Sequence, residues 1–214
     1  MRQIDPTTWN RKAQFELFRH FEQPHFGMCA NVDLTRFYSF VKGTGGHFTI
    51  AFVYLLSRCA NAIPSFRQRL RDETVVEHDV VHPSFTVLVE GDLFGFCTVE
   101  YDDRYSVFAE RGEQGLVAAK SSPTLADEPG RDDLLIMTAI PWVAFTSFMH
   151  PLPTTAADSF PRFAWGKRFE DGPRLMMPLG VQAHHALMDG LHVGNFFAAV
   201  EECLADPGKI LEAN

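Results

Sequence analysis

The longest apolar run, residues 48–62 (FTIAFVYLLSRCANA), is hydrophobic on nearly every face. That is the pattern of a buried helix, and Pro64 stops it. Upstream, residues 8–20 place Trp9, Phe15 and Phe18 roughly on one helical face, with Asp5-Pro6 as a start signal. Residues 27–35 alternate weakly and predict a strand. Short apolar runs at 75–77, 85–89 and 93–99 predict three more, the last two joined by the turn Glu90-Gly91-Asp92. Residues 104–120 predict an amphipathic helix despite Gly112 and Gly115. Further strands are predicted at 134–140, which runs into Pro141-Trp142, and at 175–183. A helix over 191–204 directs Val193, Phe196, Phe197 and Val200 inward. Residues 121–133, and the proline-bearing 150–162, predict surface loops.

Strands and helices mix without regular alternation, so the pattern predicts an α/β fold, a two-layer sandwich of a mixed sheet with helices packed on it. At 214 residues, with no repeat and no linker, residues 1–214 are expected to form a single domain. Phe is frequent, 20 residues against 4 Tyr, which predicts a core or pocket lined with large apolar rings. A net charge of -8 argues against non-specific nucleic-acid binding. Cys29, Cys59, Cys97 and Cys203 are far apart and match no zinc or disulfide pattern. With neither an apolar leader nor a run long enough to span a bilayer, the expected place is the cytoplasm.

The segment that carries chemistry is Gln182-Ala183-His184-His185-Ala186-Leu187-Met188-Asp189-Gly190, between a predicted strand and a predicted helix. Element ends of this kind expose side chains to clefts. An imidazole there can take and return protons near neutrality. Gly190 allows a sharp turn. His184, one residue before His185 on a strand, points to the opposite side and is read as structural.

The HHxxxDG pattern resembles that of the trimeric chloramphenicol acetyltransferases. It is also found in dihydrolipoamide acyltransferase cores and peptide-synthetase condensation domains. The rest of the chain favours the first group: Trp9-x-Arg11 followed by Phe15-x-x-Phe18-Arg19-His20, then His82-Pro83-Ser84-Phe85-Thr86-Val87, then Ile140-Pro141-Trp142-Val143 with Phe145-x-Ser147-Phe148. The resemblance runs almost full length.

It implies a CoA-dependent acyltransferase fold, a homotrimer with active sites between subunits, and acetyl transfer from acetyl-CoA to a hydroxyl of chloramphenicol, an antibiotic-resistance reaction. In that scheme His185 is the general base and acts without an acyl-enzyme. Ser147 donates to the oxyanion. Asp189 pairs with Arg11 to hold the His185 loop and is not a triad acid. Phe18 and Phe26 take pocket positions, and Lys167 takes that of a lysine contacting the CoA phosphates. Four positions depart from the family: Phe18 is often Tyr, Ala164 replaces an acceptor-binding threonine, His47 replaces a second lysine, and Pro24 stands where better-known members carry a reactive cysteine.

Other readings predict other behaviour. A lipoamide acyltransferase core would be accompanied by a lipoyl domain and linkers. A hydrophobic binding protein would bind without releasing thiol from acetyl-CoA, and an acetyltransferase of the same fold could take another small alcohol. A metal hydrolase needs a ligand cluster, and His78 and His82 on a predicted strand do not converge on a metal. Gly43-Thr44-Gly45-Gly46 lacks the Lys-Ser/Thr of a phosphate loop and predicts a turn.

Overall fold

The computed structural model describes residues 1–125, 130–153 and 158–212. In chain order the elements are β1 (Arg2–Gln3), α1 (Lys12–Phe18), β2 (His25–Asp33), α2 (Thr35–Thr44), α3 (Phe48–Asn61), a 3-10 turn (Pro64–Arg67), β3 (Gln68–Arg71), β4 (Thr74–Glu77), β5 (His82–Val89), β6 (Leu93–Thr98), α4 (Tyr105–Ser121), β7 (Leu134–Ile140), β8 (Arg162–Gly166), β9 (Phe169–Asp171), β10 (Arg174–His184), α5 (Gly190–Ala205) and α6 (Gly208–Leu211). A mixed sheet runs β2-β10-β8-β7-β5-β6, with β9 beside β10. The β5–β7 and β7–β8 pairs are parallel; the others are antiparallel. A small antiparallel sheet, β1-β4-β3, stands apart.

Side-chain alternation explains the layering. On β10, Met177, Leu179, Val181 and Ala183 join the main core beneath α2, α3, α4 and α5, as do Phe163 and Trp165 of β8. The residues between them, Gly180, Gln182 and His184, face the other way, beside Ala164 and Arg162 of β8. The segment 141–150 lies on that second face. A Cβ on Gly166 would meet the Val143 carbonyl at 2.6 Å and Pro178 at 2.7 Å, and the Gln182 side-chain oxygen accepts from the His150 N–H at 2.9 Å. Farther across the same face, Leu88 and its cross-strand partner Phe94 are exposed.

The buried helix starts at His47, whose ring Nδ1 accepts from the Ile50 N–H, and ends before Pro64. Gly45, at φ 72°, closes α2 in the left-handed conformation, so the glycine-rich turn ends a helix that the pattern did not predict. That helix buries only Phe37 and Val41, and its Phe, Tyr and Gly residues have modest helix propensity. The first helix is shorter than 8–20, because Trp9 sits in a turn anchored on the Asp5 carbonyl. Only part of 150–162 matches a surface loop. Asp158 and Ser159 are buried, Asp158 pairs with buried Arg162, and Ser159 accepts from the Leu70 N–H. Residues 154–157, and 126–129 of the loop predicted at 121–133, lie outside the described residues. Central β8, Arg162–Gly166, follows directly on that loop and is a strand that the pattern does not predict, because five residues after Pro161 give too short an alternation to stand out.

Gly166→Ala should cost about 1–3 kcal/mol, since a methyl group has no room against backbone and Pro178. Urea unfolding of wild type and variant measures the loss. An unchanged midpoint would mean that the 141–150 segment does not pack there.

Candidate active site

β10 ends at His184, and the chain turns through His185–Asp189 before entering α5. Three contacts fix this turn. Ala186 and Leu187 are buried with Phe15, Leu70 and Val75 in a second cluster, while Met188 belongs to the main core. The His185 N–H donates to the Pro24 carbonyl at 2.8 Å, tying the turn to the start of β2. Asp189 caps α5.

The His185 ring is half-buried. Its Nδ1 lies 3.2 Å from the Met188 carbonyl oxygen. A carbonyl only accepts, so Nδ1 must carry the hydrogen. Nε2 is then left with a lone pair, the form that a base requires. Phe18, the last residue of α1, stacks on the imidazole at 3.9 Å between centroids and 4° between planes. Phe26 of β2 lies against it at 4.7 Å.

Asp189 does not contact the imidazole among the described residues; its oxygens are used elsewhere. Oδ2 accepts from Arg11 at 2.7 Å, and Oδ1 accepts from the Leu191 N–H at 3.1 Å. Arg11 also approaches the His185 carbonyl at 3.4 Å. Burial raises the Asp189 carboxyl pKa, but hydrogen bonds from Arg11 and His192 outweigh it and hold the group at about 2. The ion pair expected between Arg11 and Asp189 is therefore present, and it grips the turn at both ends. His192 closes the cap from the third position of α5: its Nδ1 lies 2.8 Å from Asp189 Oδ1, to which it donates when it carries hydrogen, and 3.2 Å from the Asp189 nitrogen, from which it accepts in the other tautomer. The sequence carried this signal as Asp followed three residues later by a polar side chain, and it was not read.

The neighbouring imidazoles differ in kind. His184 is 1% exposed, faces His25 at 4.9 Å, and accepts from the Ala186 N–H through Nδ1. Burial, then the neighbouring His25, holds it at about 4. Burial and Arg162 likewise hold His150 at about 4. Both are neutral near pH 7, and the His184 ring is engaged by the Ala186 N–H.

The fold thus gathers Arg11, Phe18, Phe26, His185 and Asp189, and leaves two predicted residues apart. Ser147 is exposed in the 141–150 segment and makes no hydrogen bond to the His185 group among the described residues. Lys167 is exposed beyond the end of β8. Trp165 pairs with Leu179 in antiparallel register, so Lys167 falls level with Met177, toward the far end of β10 from His185, roughly 25 Å away at ~3.3 Å per residue. Of the departing positions, Ala164 is buried opposite Gly180, and Pro24 supplies a carbonyl to the His185 turn. No helix among the described residues is long and apolar enough to cross a membrane.

Arg11→Ala should destabilise the fold by about 2–4 kcal/mol, because it removes a charged hydrogen bond to Asp189 and a buried stem. Urea midpoints at neutral pH check this, and a loss below 0.5 kcal/mol would contradict it by placing the pair among weak surface bridges. His184 and His150 bind protons more weakly folded than unfolded. Their neutral burial therefore stabilises fully above about pH 6.5, and the contribution is lost as pH falls toward 4. The urea midpoint should drop across that window, and less steeply in His184→Gln.

A family model described as chloramphenicol acetyltransferase matches residues 1–201. A chloramphenicol acetyltransferase of Klebsiella sp. is 33% identical over 202 residues, 93% of this chain and 91% of that one. One from Proteus mirabilis is 30% identical, covering 93% and 92%. A solved chloramphenicol acetyltransferase superposes with a TM-score of 0.83 at 25% identity, covering 95% of this chain and all of that one. The cubic core of the pyruvate dehydrogenase multienzyme complex shares the fold at a TM-score of 0.66 and 20% identity, over 88% of this chain and 84% of that one. With the family model spanning most of its length and relatives at 30% identity or more aligned along nearly all of it, the chain belongs to the chloramphenicol acetyltransferase family.

Proposed function

We propose that the chain, as one acetyltransferase domain over residues 1–214, transfers the acetyl group of acetyl-CoA to a hydroxyl of chloramphenicol. The observation that carries this reading is the His185 imidazole, held in one tautomer by Met188 in a chain of this family. In the reaction, Nε2 of His185 takes the proton from the acceptor hydroxyl, and the alkoxide attacks the thioester carbonyl. The tetrahedral intermediate expels the CoA thiolate, and His185 returns the proton to it. No acyl-enzyme forms.

Each neighbour has a part in that cycle. The Met188 carbonyl keeps Nδ1–H in place and eases the charge when Nε2 is protonated. The Phe18 face, 3.9 Å away, favours the imidazolium so formed. Phe26 extends an apolar wall for the acceptor. The Ser147 hydroxyl donates to the oxyanion, where a fixed donor is worth about 10²–10³ in kcat. Arg11 and Asp189 position the turn without touching the reacting atoms. Lys167 meets the CoA phosphates, and its distance from His185 suits an extended cosubstrate.

The same reading makes the protein a homotrimer with sites completed between copies. Two observations support this: Ser147 is exposed and makes no hydrogen bond to His185 among the described residues, and the sheet face opposite the helices exposes Leu88 and Phe94. Acetyl-CoA is drawn from the cytoplasmic pool, which places the enzyme there.

The test mixes protein, acetyl-CoA and chloramphenicol and follows free thiol. Wild type should release CoA, His185→Ala should lose about 10²–10⁴-fold, and Ser147→Ala should lose about 10²-fold in kcat with KM little changed. Release with another small alcohol alone would move the acceptor. No release with any alcohol would overturn the reading.

A further inference from the structure

Two of the four cysteines meet although 144 residues separate them. The Cys59 thiol on α3 lies 3.8 Å from Sγ of Cys203 on α5. Cys59 is 3% exposed, whereas Cys203 is half-buried. The two helices pack directly on each other in the layer covering the sheet. The contact belongs to neither the His185 turn nor the second sheet face.

The pair is asymmetric in its chemistry as well as in its access. The Cys59 thiol donates to Cys203 and brings that group down to about 7. The same hydrogen bond, with burial, pushes Cys59 far up. A part-exposed thiolate beside a buried thiol is the arrangement that thiol–disulfide exchange needs: one sulfur attacks from solvent and the other resolves from within. Closing the contact to the ~2.05 Å of a disulfide requires roughly 1.8 Å of approach, within reach of side-chain rotation on both helices.

We propose that Cys59 and Cys203 form a reversible intramolecular disulfide by exchange with a low-molecular-weight disulfide such as glutathione disulfide. The Cys203 thiolate attacks one sulfur of glutathione disulfide, whose S–S bond breaks, and one glutathione leaves and takes a proton from water. Cys59 then gives up its proton and attacks Sγ of Cys203. The mixed bond breaks and the second glutathione leaves as a thiol. Two protein thiols are oxidised and one disulfide is reduced to two thiols, so electrons and atoms balance. The bridge ties α3 to α5, which constrains the unfolded chain over a long loop and stabilises the fold. It lies fourteen residues beyond Asp189, roughly 20 Å along α5 at ~1.5 Å per residue, so the His185 turn keeps its geometry.

The experiment incubates the native protein with glutathione disulfide, blocks remaining thiols by alkylation, and maps tryptic peptides by mass spectrometry. The expected result is a cross-linked peptide pair holding Cys59 and Cys203, with a Tm several degrees higher that dithiothreitol reverses. Cys203→Ser should leave Cys59 unmodified in the folded protein. Cys59→Ala should stop at a glutathione adduct on Cys203. A stable glutathione adduct on Cys203 in the wild type, with no cross-linked pair, would overturn the proposal, as would free Cys59 and Cys203 while Cys29 alone reacts.

Discussion

The Arg11–Asp189 ion pair is the contact on which the site depends. It joins the segment before the first helix to the cap of α5 across 178 residues of sequence. Without it, the turn 185–189 would keep the packing of Ala186, Leu187 and Met188 and the His185 N–H bond to Pro24, which hold its start, but its Asp189 end would lose its tie to the segment before α1. Asp189 spends one oxygen on Arg11 and the other on the first turn of α5. The Met188 carbonyl next to it is thereby aimed back at His185. The order of causes runs from a charge pair to a backbone orientation, from that to a tautomer, and from the tautomer to a lone pair on Nε2.

The two faces of β10 divide the labour of the fold. One face, with Leu179 and Val181, is closed by helices and gives the sheet its stability. The other holds Gly180, Gln182 and His184 under the 141–150 segment, where the absence of a side chain at Gly166 and Gly180 lets backbone and Phe145 come close. Near His185 this second face contains buried neutral His184, half-buried His150 and the Asp158–Arg162 pair. Such polar groups add little net stability, but they fix directions where a shifted residue would be costly.

Much of this was legible in the sequence because it followed local rules. The all-apolar run gave α3, the turn Glu90-Gly91-Asp92 gave the β5–β6 hairpin, and HHxxxDG marked the strand-to-helix turn. The resemblance supplied the Arg11 partner, which no local spacing could show. What stayed hidden was set by tertiary contact. Central β8 is five residues long and follows a proline; α2 is built from weak helix formers and holds only through Phe37 and Val41. The Met188 carbonyl and the Pro24 carbonyl are backbone groups, so no residue type announces them. Only His192 had a readable signal, in its spacing from Asp189.

The central claim is that His185 is held with hydrogen on Nδ1 and a free Nε2. Nitrogen-15 chemical shifts of the ring, recorded on histidine-labelled protein and assigned by the loss of one signal set among nine histidines in His185→Gln, measure this directly. A neutral ring with a protonated Nδ1 and an unprotonated Nε2 is the predicted result. A neutral ring with hydrogen on Nε2 would contradict the account, since that tautomer can neither donate to Met188 nor accept the hydroxyl proton at Nε2.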